Sequence, residues 1–167
     1  MNGKPEAVSF KNNKHWMGTH HMRRSIKHVA GAVLVAAADH FLLQQRDDKP
    51  HIDNPGMIGL FGGHQEPGES SLECVQREVL EETGHDAPAD AFEYLGQCEL
   101  VTARLHKQAT LYLIQGIPEP ELNITEGALI SIPTAEIVHF WLRMTPATVF
   151  AVRVALERLS IMRKEHN

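Results

Sequence analysis

Glu78, Glu81 and Glu82 stand at i, i+3 and i+4, which on a helix of 3.6 residues per turn puts all three carboxylates on one face. Like charges at that spacing repel, so a fold gains no stability from stacking them. A divalent cation resolves the conflict. Mg²⁺ or Mn²⁺ takes hard oxygen ligands and keeps positions open for water and phosphate oxygens. Such an ion polarises phosphoryl oxygens and activates water, and a carboxylate it does not fully engage accepts the proton. Gly63, ahead of the helix, lets the backbone approach closely, so its carbonyl is a further candidate ligand.

The helix that must carry these groups is legible in its flanks. Ser70-x-x-Glu73 is a capping-box pattern that satisfies orphan N–H groups at a helix start. Leu72, Val75 and Val79 give the helix one apolar stripe, and the carboxylate face is expected to lie away from it. Gly84 supplies the left-handed stop. Upstream, the apolar run Val29–Ala37 reads as a buried strand, Asp39-His40 as a turn, and Phe41–Arg46 as the hairpin partner. A polar loop with the turn signal Asp53-Asn54-Pro55-Gly56 follows, then a single short strand, Met57–Phe61, leading into Gly62-Gly63. Downstream, Phe92–Val101, Gln108–Ile117 and Leu129–Ile132 are strand candidates. A brief helical turn is expected at Ala135–Val138. Thr145-Pro146 is an N-cap/N1 pair for a last helix to about Arg163, with Val149, Val152, Leu156 and Leu159 as its buried stripe. The order strands, helix, strands, helix predicts either an α+β chain or a sheet sandwiched by helices.

At 167 residues the chain suits one domain. Residues 1–27 lack apolar periodicity and read as a flexible arm, with 28–167 as the domain and Met22 as an alternative start; His15, His20 and His21 read as part of a solvated polar arm. Arg23, Arg24 and Lys27 before the apolar run mimic a signal peptide, but a polar leader precedes them and cleavage near Ala38 would delete a core strand. No stretch is long enough to span a membrane as a helix. A net charge of −5 argues against nonspecific nucleic-acid binding. The two cysteines, Cys74 and Cys98, form neither a disulfide framework nor a zinc site and read as core residues of a cytoplasmic protein.

Gly63, Glu69 after five residues, then Arg77-Glu78-Val79-x-Glu81-Glu82-x-Gly84 after seven more resemble the Nudix box, and the chain is identified as a member of the MutT-like Nudix hydrolase family. The box covers about 23 residues. One position departs from the pattern: His85 stands where the family has an aliphatic residue. The resemblance implies an α/β/α sandwich around a mixed β-sheet and a metal-dependent hydrolase of a nucleoside diphosphate linked to another moiety. It implies that Glu78 and Glu82 are the principal Mg²⁺ or Mn²⁺ ligands, beside the Gly63 carbonyl. Glu81 becomes a further ligand or the general base, and Glu126 a loop carboxylate serving the metals or the water. Glu69 and Arg77 become an ion pair that orients the loop.

Substrate identity is thinner. Between Cys98 and Ala103 there is neither the Pro nor the Tyr that marks ADP-ribose or dinucleoside polyphosphate subfamilies. Phe61 and Met57 replace the Pro and Trp frequent in relatives. Arg46, His64, Arg104 and His106 are candidate substrate contacts. The expected substrates are (d)NTPs; the alternatives are an NDP-sugar hydrolase, or a nucleotide-sensing Nudix domain without turnover. A homodimer is compatible with the sequence.

Overall fold

A computed structural model describes residues 26–37, 39–101 and 106–165. Residues 1–25 of the expected arm, with its histidines, and Arg104 lie outside them; Lys27, expected in the arm, instead opens the first strand. β1 (Lys27–Ala36) is the central strand, and it reads as a nearly unbroken apolar run because both its faces are covered. A left-handed Asp39 (φ 64°) turns the chain into β2 (His40–Gln45), which pairs antiparallel with β1. β5 (Glu93–Val101) and β6 (His106–Ile117) form an antiparallel hairpin, and β6 lies parallel to β1 over its whole length. β7 (Ala128–Pro133) pairs with β2 on the same sheet. With β3 (Ile58–Gly59) and β4 (Phe61–His64) included, the strand order is β3-β2-β1-β6-β5, with β4 on β1 and β7 on β2.

Helices cover both faces of this mixed sheet. On one side α1 (Ser71–Thr83) buries Cys74, Val75 and Val79 against Ala32, Leu34, Leu42, Phe61 and Ile114. On the other, α2 (Pro146–Glu165) buries Ala151, Val152, Ala155 and Leu159 against Val33, Val35, Leu43, Leu111 and Leu113. Odd and even residues of β1 therefore serve opposite cores. Each fully buried valine or leucine contributes about 1.5–3 kcal/mol. The arrangement is the expected α/β/α sandwich. α2 uses Ala151 and Ala155, small residues that let it sit close to the sheet, more fully than Val149 and Leu156, which are only partly buried.

Two local expectations are corrected. The single strand Met57–Phe61 is two: β3 (Ile58–Gly59) pairs with β2, and β4 (Phe61–His64) pairs with β1. The chain changes partner at Leu60. It can do so because Gly62 (φ 147°) lies on β1 so closely that a Cβ there would sit 2.2 Å from the Ala30 carbonyl oxygen. The brief turn at Ala135–Val138 is a 3₁₀ segment over Ile137–Arg143, which places Met144 beside Ile58 and lets Thr145 N–H bond the Ile58 carbonyl at 2.9 Å. The Thr145 hydroxyl then accepts from Thr148 N–H at 3.3 Å and caps α2.

Candidate active site

The capping box forms as spaced: Ser70 Oγ accepts from Glu73 N–H, and Glu73 Oε2 accepts from Ser70 N–H at 2.8 Å. Gly84 ends α1 at φ 70°, its N–H bonded to the Leu80 carbonyl. Between these ends the helix presents its charged residues to the Gly62-Gly63 loop.

Arg77 organises the front of the site. Nε and Nη2 bond the two Glu69 oxygens at 2.9 and 3.1 Å, Nη2 also reaches the His64 carbonyl at 3.1 Å, and Nη1 bonds Glu78 at 2.8 Å and Glu81 at 3.2 Å. A planar guanidinium is suited to this fork. Glu69 also accepts from Glu66 N–H. The Arg77 hydrogen bond, assisted by that backbone N–H, holds the Glu69 carboxyl down to about 2, and the Glu69 partnership raises the pKa of Arg77 in turn. Glu69 and Arg77 thus tie the loop to the helix.

Gly63 lies against Glu78. A Cβ at Gly63 would fall 2.2 Å from Glu78 Oε1, so no other residue fits without moving the carboxylate. Its carbonyl oxygen is 3.7 Å from Cys74 Sγ, whose burial pushes the thiol up to about 11 and keeps it a neutral donor.

Glu82 departs from the expectation that the carboxylates lie away from the apolar stripe. It is 7% exposed, whereas Glu81 is open to solvent. The reason is periodicity: positions 75, 79 and 82 are i, i+4 and i+7, so Glu82 continues the stripe that Val75 and Val79 begin. Glu82 Oε2 accepts from Gly62 N–H at 2.8 Å and Oε1 from Gln44 Nε2 at 3.3 Å. Burial, with the negative fields of Glu126 and Glu78, pushes its pKa up to about 7 against the pull of those two hydrogen bonds.

The loop carrying Glu126 is stitched to the end of α1. Asn123 N–H, Thr125 N–H and the Thr125 hydroxyl bond the carbonyls of Thr83, Glu82 and Glu81 at 2.8, 3.0 and 2.8 Å. Gln44, almost wholly buried, also donates to the Glu126 carbonyl at 3.3 Å. Gly127 (φ 66°) closes the turn where a Cβ would meet the Gln45 carbonyl at 2.4 Å.

A cavity of about 870 Å³ opens beside this cluster, lined by Glu78, Glu82, Glu126 and Arg77 at one end. Arg46 and His64 line it too, as do Lys27, Asp53 and Lys107. Lost hydration, with the Lys107 and Lys27 charges, lowers the pKa of His64. His106 is not among the lining residues; it starts β6, 3.8 Å from Glu99. Gln44, Lys27, Asp53 and Lys107 are the site residues that sequence reasoning misses. Gln44 left one trace, a polar residue just after three apolar ones in a strand.

Among the described residues no three acidic, histidine or cysteine side chains form a ready-made metal cage, and Arg77 holds Glu78 and Glu81. The donor set nevertheless fits a hard divalent cation: clustered carboxylates, one with its proton affinity raised, facing a glycine that a Cβ would close off.

A carboxylate-rich helix face beside a cavity of about 870 Å³, on a mixed sheet between two helices, is suited to metal-assisted hydrolysis. The sequence model of the NUDIX domain matches residues 26–153, and the chain belongs to that family of hydrolases. The MutT protein of Methanosarcina mazei Go1 superposes with a TM-score of 0.68 at 22% identity, over 83% of this chain and 99% of that one. The NUDIX domain of Shewanella oneidensis NrtR, solved with ADP ribose, superposes at 0.66 with 22% identity, over 81% and 90%. A bifunctional NMN adenylyltransferase/ADP ribose pyrophosphatase of Francisella tularensis, solved with AMP and a manganese ion, superposes at 0.65 with 20% identity, over 83% and 43%. No curated protein sequence matches the chain. Among the described residues no helix is long and apolar enough to cross a membrane.

Proposed function

We propose that the chain hydrolyses a phosphoanhydride bond in a nucleoside diphosphate linked to another moiety, with (d)NTPs as preferred substrates. The observation that carries this reading is the placement of Glu78 and Glu82 against Gly63 and Gly62 in the wall of the cavity. Glu78, Glu81 and Glu82, with the Gly63 carbonyl and Glu126, would hold Mg²⁺ or Mn²⁺. The ion supplies charge neutralisation at phosphoryl oxygens, which an acidic protein site cannot.

The chain's own residues do the rest. Arg77 and Glu69 fix the loop against the helix, so the Gly63 carbonyl and Glu78 stay within reach of one another. Gln44 holds Glu82 and the Glu126 loop in one hydrogen-bond set. A carboxylate of this cluster, Glu81, Glu82 or Glu126, takes the proton from the attacking water. Arg46 and His64 stand on the cavity wall where a nucleotide would lie.

A volume of about 870 Å³ is at the upper end of small-molecule sites and also admits an NDP-sugar. The test is a panel of dNTPs, NDP-sugars, ADP-ribose and dinucleoside polyphosphates with Mg²⁺ or Mn²⁺, scored by which phosphorus products appear. Release of pyrophosphate and a nucleoside monophosphate from dNTPs is expected. Binding without hydrolysis of any member would replace the enzyme with a nucleotide sensor.

A further inference from the structure

Lys27 and Lys107 are partners in the parallel register of β1 and β6. Two lysines therefore leave neighbouring strands at paired positions, both lining the cavity, and like charges so placed are unfavourable. Lys107 is largely covered, with 14% of its side chain exposed. Its counter-charge arrives from 54 residues away in the chain. Asp53, on the loop between β2 and β3, places Oδ2 2.6 Å from Lys107 Nζ, and Arg46 Nε donates to the Asp53 carbonyl at 3.0 Å. The Lys107 hydrogen bond and charge, followed by the charges of Lys27 and Arg46, hold the Asp53 carboxyl below the usual range. Asp53 itself is 56% exposed. A covered cation, Lys107, with the exposed Lys27 beside it on the next strand, thus meets an open, replaceable anion.

These groups share the cavity with Glu78 and Glu82. Gly31 is the register partner of Gly62, whose N–H bonds Glu82, and Lys27 lies four residues back along the same strand. At about 3.3 Å per residue the two ends are ~13 Å apart along the backbone, and the lysine side chains extend over part of that span. Val29, Leu60, Ala109 and Leu111 line the apolar wall between them.

We propose that Lys107, flanked by Lys27, is a subsite for the terminal phosphate of a nucleoside triphosphate, and that Asp53 occupies it as an internal stand-in which the phosphate displaces. This rests on the pyrophosphohydrolase reading of the cavity and narrows it toward triphosphates. Both phosphates of an NDP-sugar flank its scissile bond, so it has no terminal phosphate to offer. A terminal phosphate carries up to two charges and three strong acceptor oxygens, and it satisfies both lysines where one carboxylate satisfies mainly one. Its arrival unlatches the 46–57 loop from β6. The loop stays closed at its base through Arg46 N–H to Met57, Gly56 N–H to Asp47 and Gln45 Nε2 to Gly56.

Two substitutions that break the same ion pair separate this role from a purely structural latch. The measurement is equilibrium binding of a deoxynucleoside triphosphate and of an NDP-sugar, with Ca²⁺ replacing the catalytic ion. Lys107→Gln weakens triphosphate binding about tenfold or more and NDP-sugar binding by less than about threefold. Asp53→Asn strengthens triphosphate binding, because the internal competitor is gone. Loss of affinity in both variants, equal losses for both ligands, or no triphosphate binding by the wild-type chain overturns the subsite. The hydrolysis panel above decides the pyrophosphohydrolase reading independently, since turnover with an unchanged ligand ratio in Lys107→Gln removes only the subsite.

Discussion

Glu82→Gln separates stability from activity, and the separation depends on pH. In the metal-free protein the Glu82 carboxyl is buried and its pKa stands at about 7 against an ordinary 4.5. Below the ordinary value both folded and unfolded chains are protonated at this position and nothing is lost. As pH rises from about 4.5 to about 7 the unfolded chain releases this proton into water while the folded chain must keep it or bury a charge, so stability falls, and above about 7 the deficit is constant. At about 1.36 kcal/mol per pH unit, the gap corresponds to about 3 kcal/mol, most of it developing between about pH 4.5 and about pH 7. Glutamine carries no such charge. It does lose an acceptor: Glu82 takes hydrogen bonds from both Gly62 N–H and Gln44 Nε2, and one amide oxygen cannot replace both. That deficit is about 1–2 kcal/mol and does not vary with pH.

The expected result is a wild-type chain that loses about 2–3 kcal/mol relative to Glu82→Gln on going from about pH 5 to about pH 8.5. In thermal terms this is roughly 6–10 °C for a domain of this size. Urea unfolding in EDTA at several pH values measures it. Added Mg²⁺ should restore the wild type at high pH and leave the variant nearly unchanged, while the variant's kcat falls by about 10²–10⁴. A stability difference that stays flat across the pH range would refute the buried-charge argument, whatever happens to turnover.

Four further outcomes follow from the same geometry. Gly63→Ala should drive Glu78 from its place, because the new Cβ has 2.2 Å where it needs more than 3 Å; Mn²⁺ affinity and kcat should fall together while far-UV circular dichroism is unchanged. Arg77→Lys keeps the charge but loses the fork to Glu69, Glu78 and Glu81, so Mn²⁺ affinity measured by electron paramagnetic resonance should drop about 10–100-fold. Gln44→Leu removes the donor shared by Glu82 and the Glu126 carbonyl; kcat should fall more than KM rises, and a uniform loss of stability without a kinetic effect would assign Gln44 to packing alone. Chelation should abolish hydrolysis, with Mg²⁺ or Mn²⁺ restoring it, followed by phosphate-product analysis.

Much of the site was legible because its signals are local. The capping box at Ser70 and Glu73, the left-handed Gly84 and the spacing of Glu78, Glu81 and Glu82 each depend on neighbours within about one or two helical turns. The apolar run of β1 likewise announced a strand covered on both faces. The partner change at Leu60 was not legible, because which strand a short apolar segment joins depends on chain folded elsewhere.

By itself, then, the sequence determined that three carboxylates share a helix face behind a close-approach glycine, and with that the family. Only the tertiary structure decided how unequal they are. Glu82 is buried because β1, β2 and the 122–127 loop close over the end of α1, while Glu81 stays in water. The same holds for Gln44, which meets Glu82 across 38 residues, and for Asp53, which meets Lys107 across 54. Proton affinity and charge pairing are set by desolvation and by neighbours in space, and no spacing along the chain encodes either.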